Sequence, residues 1–166
     1  LLGEHDMADP HCRILTSGST GRPHTVSLSY GNHLFSAMGS AFNIGVDPAD
    51  RWLCALPTSH ISGLSIVMRS VIYGTAMVLQ DRFTPEGVRE AIERDGVTVI
   101  SMVSTMLLRL LDEGVDLSGP RAILVGGGPV PPSALSEALD RGAKVIQTYG
   151  LTETCSQVTT LEVAEA

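Results

Sequence analysis

The sequence predicts an α/β fold, with a mainly parallel sheet covered by helices on both faces. Short apolar runs alternate along the chain with segments of helical periodicity, and this alternation is typical of strand–helix–strand units. The apolar runs are rich in β-branched residues and show no polar–apolar alternation, which indicates strands buried on both faces. Aromatic residues make up only 4% of the chain, so aliphatic side chains have to fill the core.

Seven segments are predicted to be strands, because each is a short apolar run bounded by turn-forming residues. These segments are residues 12–16, 26–28, 51–56, 75–80, 97–101, 121–126 and 143–148. Ligands bind to sheets of this kind at the carboxyl ends of the strands. Functional residues are therefore expected in the loops that follow the strands.

Five segments have the periodicity of helices. They are residues 30–44, 64–73, 85–95, 105–112 and 132–141. Ser29 is a suitable N-cap for the first helix. Thr84 and Pro85 give the third helix an N-cap followed by proline at its first position, and Gly96 ends it. The second helix is apolar nearly all round, which predicts that it is buried.

The composition favours a single globular domain that does not bind polyanions broadly. Of the 166 residues, 43% are hydrophobic and 17% charged, and the mean hydropathy of +0.20 suits a sizeable core. The net charge of −7 argues against nucleic-acid or anionic-membrane partners. No apolar run approaches the ~20 residues of a membrane span.

The cysteines and the chain ends give two further expectations. Cys12, Cys54 and Cys155 form no disulfide framework and favour a reducing, cytoplasmic compartment. The sequence starts without methionine, and a predicted strand begins almost at once. We therefore expect a piece of a longer chain. The sequence leaves open whether the protein forms a homo-oligomer.

The stretch "ILTSGSTGRPHTV", residues 14–26, places a hydroxyl-rich and glycine-rich loop directly after a predicted strand. Backbone N–H groups that converge in such a loop can bind a phosphate. Side chains that could add to them are those of Thr16, Ser17, Ser19, Thr20 and Arg22. The loop is not a Walker A motif, because no lysine follows Gly21. The alternative is a plain hairpin turn, for which the same residues are suitable.

The stretch "LVGGGPVPPSAL", residues 124–135, runs from a strand through Gly126, Gly127 and Gly128 into a helix. Bare backbone at these glycines would let a flat ligand approach closely. The dinucleotide fingerprint G-x-G-x-x-G fails, because Pro131 stands where its last glycine should be. A tight turn without a ligand is the alternative.

The stretch "QTYGLTETCSQ", residues 147–157, combines several reactive residue types directly after a strand. Tyr149 can stack on a ring, Thr152 can donate to a phosphate, and Glu153 can bind Mg²⁺ through oxygen. The alternative is a surface loop in which the tyrosine covers the core and the glutamate is solvated.

A single histidine, His60, follows a predicted buried strand in "ALPTSHISGLS", residues 55–65. The glycine beside it leaves space for a ligand, although a structural role is the alternative for a lone histidine. Ser156 and Gln157 could face the same space.

A second group of histidines lies near the start of the chain. His5, His11 and Cys12 are close in sequence, and all three side chains can bind metals. No second pair of ligands with the spacing of a zinc site follows them. The sequence therefore predicts no metal site in this segment.

Three of these stretches, in this order, resemble the signature motifs of the adenylate-forming enzymes: the acyl-CoA synthetases, ligases and their relatives. "TSGSTGRP" is similar to their phosphate loop, "GGGP" to their adenine-side turn and "YGLTE" to their third signature. The resemblance extends through almost the whole chain. It implies that residues 1–166 are the central part of a large N-terminal domain, whose first portion lies outside this sequence, as does a small C-terminal domain.

The resemblance implies a two-step reaction that uses ATP, Mg²⁺ and CoA to activate a small carboxylic acid. The carboxylate attacks the α-phosphate, pyrophosphate leaves, and the CoA thiol then displaces AMP. The implied roles are phosphate binding by Thr16, Ser17, Ser19, Thr20 and Arg22; adenine contact by Gly127, Gly128 and Tyr149; and catalysis by Thr152 at the α-phosphate, Glu153 on Mg²⁺ and His60 at the acyl group. Ser62, Gly126, Ser156 and Gln157 would line the acyl pocket with His60.

One departure from the family pattern concerns the phosphate loop. The family commonly continues with Lys-Gly after the proline, whereas this chain has His24 and Thr25. A neutral imidazole supplies less charge than an ammonium group, which weakens the predicted hold on pyrophosphate.

Two other functions remain open at this point. One is a nucleotide-binding α/β module without chemistry of its own, and the other is an adenylation domain that feeds a carrier protein instead of CoA. The glycines beside His60 favour an enzyme, because they make a pocket that a nucleotide module does not need.

Overall fold

The computed structural model describes residues 4–16 and 23–161. Its strands are β1 (Pro10–Thr16), β2 (His24–Ser29), β3 (Arg51–Cys54), β4 (Ala76–Leu79), β5 (Val99–Val103), β6 (Ala122–Gly126), β7 (Val145–Leu151) and β8 (Ser156–Thr160). Its helices are α1 (Tyr30–Ile44), α2 (Ile61–Tyr73), α3 (Pro85–Glu93), α4 (Ser104–Asp112) and α5 (Pro132–Asp140). All seven predicted strands and all five predicted helices are present, with shifts of a few residues at their ends.

The main sheet has six strands in the order β4-β3-β5-β6-β7-β8. Strands β3 to β7 pair in parallel, and β8 pairs antiparallel with β7 at one edge. The parallel strands align so that Leu53 lies beside Ile100 and Ile100 beside Ile123. The predicted mainly parallel sheet is therefore confirmed.

Helices cover both faces of this sheet. Leu53, Ile100 and Ile123 point to the face that packs against α3, α4 and α5. Their neighbours in the strands point the other way, because successive side chains of a strand alternate between faces. On that second face Trp52 packs with Ile66 of α2. The result is three layers with two apolar interfaces.

The first two strands lie outside the main sheet, whereas the strand pattern of the sequence predicted one mainly parallel sheet. β1 and β2 pair only with each other, antiparallel, with Thr16 opposite His24. The flanks of the glycine-rich loop thus form a hairpin. The loop residues Ser17, Ser19, Thr20 and Arg22 lie outside the described residues, so their phosphate contacts stay a prediction.

Strand β8 was not predicted. Its sequence, SQVTT, is mostly polar and carries no apolar run. It forms because the chain reverses after β7 through Cys155 and Ser156, whose φ angles are +55° and +94°. Few non-glycine residues adopt such angles, so sequence patterns give no warning of this turn.

The helix ends follow the sequence signals, but the burial of α2 was overestimated. The Ser29 side chain accepts from the Asn32 N–H in a capping box, and Thr84 caps α3 through the Gly87 N–H. Val71 of α2 is 72% exposed, so only one side of this apolar helix faces the core.

None of the helices in the described part of the chain has the length and apolar character that a membrane span requires.

A charged pair ties the residue before β3 to the residue before β6. Asp50 is buried, and Arg121 donates to both of its carboxylate oxygens while Thr98 donates to one. Burial raises the pKa of Asp50, but the hydrogen bonds from Arg121 and Thr98 lower it further, so the net pKa shift is downward.

Asp50→Ala is expected to reduce the free energy of unfolding by about 3 kcal/mol, because it leaves the Arg121 guanidinium without its buried partner. Since the folded pKa of Asp50 is lowered, the pair's contribution is present above the unfolded pKa of about 3.9 and is lost as the pH falls through the folded value. Urea unfolding at neutral and acidic pH measures both effects. Glu86→Ala, which breaks an exposed pair with Arg89, is the control and should cost under about 1 kcal/mol.

Candidate active site

A cavity with a volume of about 790 Å³ opens at the carboxyl ends of β5, β6 and β7. This is where an α/β sheet is expected to bind its ligand. Nine of the predicted site residues line it: Thr16, His60, Ser62, Gly126, Gly127, Thr152, Glu153, Ser156 and Gln157. The loops that the sequence separates by more than a hundred residues therefore meet in one place.

Tyr149 and Gly128 are not among the residues that line this cavity. Tyr149 belongs to β7, where Thr148 and Gly150 face the cavity. Strand alternation places the tyrosine on the opposite side, where it is 58% exposed. An adenine stacked on Tyr149 would thus lie outside the cavity, and the adenine roles of both residues stay predictions.

Glu153 is linked to the glycine-rich hairpin by hydrogen bonds. His24 Nε2 lies 3.0 Å from Glu153 Oε1, and Thr16 Oγ1 lies 3.1 Å from His24 Nδ1. Hydrogen bonds to the carboxylate, first from the backbone of Glu153 and then from His24, lower the pKa of Glu153. The glutamate is therefore an ionised carboxylate that faces open solvent, an oxygen ligand of the kind that Mg²⁺ prefers.

The histidine that replaces the family's lysine thus contacts the predicted magnesium ligand. The sequence indicated a weaker positive charge at His24, but it did not indicate this contact, since the two residues are 129 positions apart.

The turn between β7 and β8 has a strained backbone. Cys155 and Ser156 both have positive φ, and a Cβ on Gly150 would lie 1.9 Å from the Ser156 carbonyl oxygen. The Ser36 hydroxyl of α1 donates to the Cys155 carbonyl at 2.7 Å and holds the turn in place. Strain of this sort is found where the surrounding structure fixes a functional residue, and here it positions Ser156 in the cavity wall.

Arg69 is a site residue that sequence reasoning missed. It projects from α2 into the cavity wall, is only 3% exposed, and lies 5.6 Å above the Trp52 ring. Its Nη2 donates to Ser156 Oγ at 3.3 Å. Burial lowers the pKa of Arg69 to about 10, so the guanidinium is still charged at neutral pH.

Two buried polar atoms in this wall have no hydrogen-bond partner among the described residues. They are Arg69 Nε and Gln157 Oε1. Buried groups of this kind are normally paired. Both atoms are closed to solvent, so a ligand in the cavity could pair with them only after a small movement of these side chains. A sequence signal for Arg69 was available, because it is the only charged residue of α2, a helix that is otherwise made of apolar and small residues.

His60 is the N-cap residue of α2, and its exposed side chain lines the cavity. Its ring makes no capping hydrogen bond to the helix, so the imidazole is free to contact a ligand. Gly63 lies close to the preceding loop: a Cβ atom added at this position would lie 2.4 Å from the Pro57 carbonyl oxygen. This close approach fixes the loop that carries His60.

The site therefore combines an exposed carboxylate, hydroxyl groups and glycine-lined strand ends with a buried guanidinium. Together with the three-layer sheet, these features define an α/β protein whose cavity suits an anionic, nucleotide-sized ligand and an acid. The chain matches the model of the AMP-binding enzyme family over residues 3–166, and it belongs to that family.

The similar proteins narrow the family further. The chain is 52% identical over 149 residues to 2-succinylbenzoate–CoA ligase from Bacillus subtilis, and 48% identical over 159 residues to the same enzyme from Geobacillus kaustophilus. These alignments cover 89% and 94% of the chain, but 31% and 32% of the relatives. The chain thus spans about a third of the length of the curated relatives it matches.

The solved structures agree with this grouping. O-succinylbenzoate coenzyme A synthetase from Bacillus subtilis, in complex with ATP and a magnesium ion, superposes with a TM-score of 0.90 at 48% identity. The match covers 95% of this chain and 33% of that chain. The structure of MenE from Escherichia coli, with a bound analogue of OSB-AMS, has a TM-score of 0.80 at 34% identity. This match covers 91% of this chain and 32% of that chain. The fold predicted from the family resemblance is confirmed.

Proposed function

We propose that the protein activates 2-succinylbenzoate with ATP and transfers it to CoA, a step of menaquinone synthesis. The observation that carries this proposal is the buried guanidinium of Arg69 in the same cavity as the Glu153 carboxylate and the glycine-lined ends of β6 and β7. The names of the similar proteins, and their complexes with ATP and an acyl-adenylate intermediate, support it.

The chemistry of the substrate explains why a buried cation is needed. 2-Succinylbenzoate carries two carboxylates, of which one becomes the thioester and the other keeps its charge. A carboxylate that enters a cavity without a partner loses a large solvation energy. Arg69 lines the cavity and donates from Nη2 to Ser156, with Gln157 in the same wall, so its guanidinium is the buried cation with which such a carboxylate can pair. The guanidinium therefore selects a dicarboxylate.

The first step joins the acid to AMP. An oxygen of the carboxylate that becomes the thioester attacks the α-phosphorus, the bond to the bridging oxygen breaks, and pyrophosphate leaves with the bond electrons. In the proposed step Thr152 donates to the α-phosphate and Thr16 helps to bind the other phosphates, since both residues line the cavity. Such fixed donors lower the barrier because they are already oriented toward the developing charge.

The residues present fit a magnesium ion, because the Glu153 carboxylate is ionised, exposed and directed into the cavity. When bound, the ion would neutralise charge on the phosphates. His24 holds one carboxylate oxygen of Glu153 and so fixes the direction of the ligand.

The second step transfers the acyl group. The CoA sulfur attacks the acyl carbon of the adenylate as the thiol proton passes to solvent, the bond to the AMP oxygen breaks, and AMP leaves with the bond electrons. We assign His60, which lines the cavity with an exposed side chain, to contact with the reacting carbonyl. Ser62 and Gly126 complete the proposed wall.

We place this reaction in the cytoplasm, because the three cysteines are all free and suit a reducing compartment. The assay is incubation of the full-length protein, of which these 166 residues are a part, with ATP, Mg²⁺, 2-succinylbenzoate and CoA. We expect pyrophosphate, AMP and thioester in equal amounts. Adenylate without thioester would favour a carrier-protein acceptor, and no pyrophosphate would favour a nucleotide-binding module.

Arg69→Met is expected to raise the KM for 2-succinylbenzoate by about 10–100-fold, since a hydrogen bond to a charged group contributes about 1.5–3 kcal/mol. The KM for ATP should change little. Steady-state kinetics with each substrate varied in turn measures both. Arg109→Met is the matched control. Arg109, on α4, lies over the ring of Phe83 and is not among the cavity residues. An equal rise in both KM values would contradict a role in acid binding.

His24→Lys is expected to lower the KM for ATP by about fivefold. A full charge within about 4 Å of a solvated phosphate contributes about 1 kcal/mol, and the lysine would restore the charge that the family pattern has at this position. His5→Lys adds the same charge at the other end of the hairpin segment and should leave the KM unchanged. A higher KM for ATP in His24→Lys would contradict this expectation. It would show that the contact between His24 and Glu153 matters more for ATP binding than the added positive charge.

A further inference from the structure

Three metal-ligating side chains meet where β1 packs against α1, away from the cavity. His11 and Cys12 come from β1 and His33 from α1, and one ligand atom of each lies within 4.8 Å of the other two. Cys12 Sγ is 3.5 Å from His33 Nε2. In a tetrahedral zinc site with Zn–S near 2.3 Å and Zn–N near 2.0–2.1 Å, a sulfur and a nitrogen ligand lie about 3.6 Å apart. This pair already has that separation.

His11 contributes a ring nitrogen that lacks a partner. Its Nδ1 is buried and has no hydrogen-bond partner among the described residues, and the ring packs edge-on against His33 with centroids 4.9 Å apart. An unpaired buried nitrogen is costly, and a metal ion would satisfy it. The remaining ligand distances need to close by only about 1 Å, which a side-chain rotation can supply.

The other nitrogen of His33 is already held. Nδ1 lies 3.4 Å from Cys155 Sγ, and the ring is 3% exposed. When Nε2 of a histidine binds a metal, Nδ1 carries the proton and donates it to a neighbouring acceptor, which fixes the ring. Cys155 occupies that outer position, so the orientation of His33 suits coordination through Nε2.

We propose that His11, Cys12 and His33 form a binding site for a zinc-like divalent metal ion, with its fourth position open to water. Two imidazoles and one thiolate select such ions over Mg²⁺ and Ca²⁺, which prefer oxygen. Binding releases the thiol proton of Cys12 to solvent as the sulfur–metal bond forms. His11 and Cys12 are each partly exposed, so the ion can enter from solvent.

The ion would join the hairpin to the helix that follows it. β1 ends at Thr16, which lines the cavity, and α1 carries Ser36, which holds the turn at Cys155. The site therefore links elements that carry two sides of the cavity. The sequence predicted no metal site near Cys12, because it did not show that His33 lies beside this residue. The fold brings the two together from positions 21 residues apart.

The test is titration of the protein with Zn²⁺ and, as a spectroscopic probe, Co²⁺, both in excess Mg²⁺ to occupy oxygen sites. We expect one equivalent to bind, with a sulfur-to-cobalt charge-transfer band. Cys12→Ser should abolish the band, and both Cys12→Ser and His11→Ala should weaken Zn²⁺ binding by at least the ~10–100-fold that loss of an outer partner costs. His5→Ala is the control, since His5 stacks on Tyr30 in the same segment but is not one of the three ligands.

A second measurement separates binding from a folding defect. Zn²⁺ should raise the Tm of the wild-type protein and of His5→Ala, but not of Cys12→Ser, because only a folded-state ligand stabilises. The absence of a thiolate–cobalt band in the wild-type protein would overturn the proposal regardless of how the variants fold. Unchanged Zn²⁺ affinity in folded Cys12→Ser would also overturn it.

Discussion

Glu153→Gln in the full-length protein is expected to lower the rate of adenylate formation by about 10²–10³-fold, the usual effect of losing one oriented charge at a reacting centre. The amide keeps the shape of the side chain but loses the negative charge that binds a divalent cation. The side chain is about half exposed, so the fold does not depend on it. Pyrophosphate release in the presence of 2-succinylbenzoate measures the rate, and thermal unfolding checks the fold.

Glu137→Gln is the matched control for this variant. Glu137 pairs with Arg141 on the surface of α5 and is not among the cavity residues, so its rate should equal that of the wild type. Raising the Mg²⁺ concentration should recover part of the rate in Glu153→Gln if weak metal binding is the cause. A wild-type rate in Glu153→Gln would remove this glutamate from the site.

Local sequence signals predicted the elements of the fold well. The predicted bounds of α1 agree with the structure at both ends, because Ser29 supplies a capping box and Gly45 a backbone with φ of +70°. Thr84 and Pro85 fixed the start of α3 in the same way. These are interactions within a few residues, which a pattern of residue types can represent.

Contacts between distant segments could not be predicted in this way. The sequence did not show that β1 and β2 leave the main sheet, because strand pairing depends on partners and not on composition. It also did not show the contact between His24 and Glu153, or the burial of Arg69 against Trp52. The family motifs indicated which loops meet, but the buried cation between them emerged only from the packing of α2 on the sheet.

The same limit applies to the strained turn. Cys155 and Ser156 adopt positive φ although neither is glycine, which local preferences argue against. The turn exists because β7 and β8 pair on one side and Ser36 donates on the other. Sites where local rules fail in this manner are often those that a function requires.

A polypeptide of residues 1–166 is expected to form no detectable acyl-CoA on its own. The chain spans about a third of its curated relatives, and the family resemblance implies that a lysine on a second domain and a later aspartate complete the reaction centre. Each lost charge typically costs about 10²–10³ in rate. With both missing, and without the CoA-binding surface, turnover should fall below measurement.

Weak ATP binding should nevertheless survive in this polypeptide, because Thr16, Gly127 and Thr152 are all present in one cavity. Equilibrium binding of ATP and an assay with ATP, Mg²⁺, 2-succinylbenzoate and CoA together separate the two properties. Circular dichroism establishes that the polypeptide is folded before either is measured, and Thr152→Val tests whether the ATP signal comes from the cavity. Repeated turnovers that yield thioester would show that these 166 residues already contain a complete reaction centre, in which the charge assigned to the lysine is supplied by a residue of this chain.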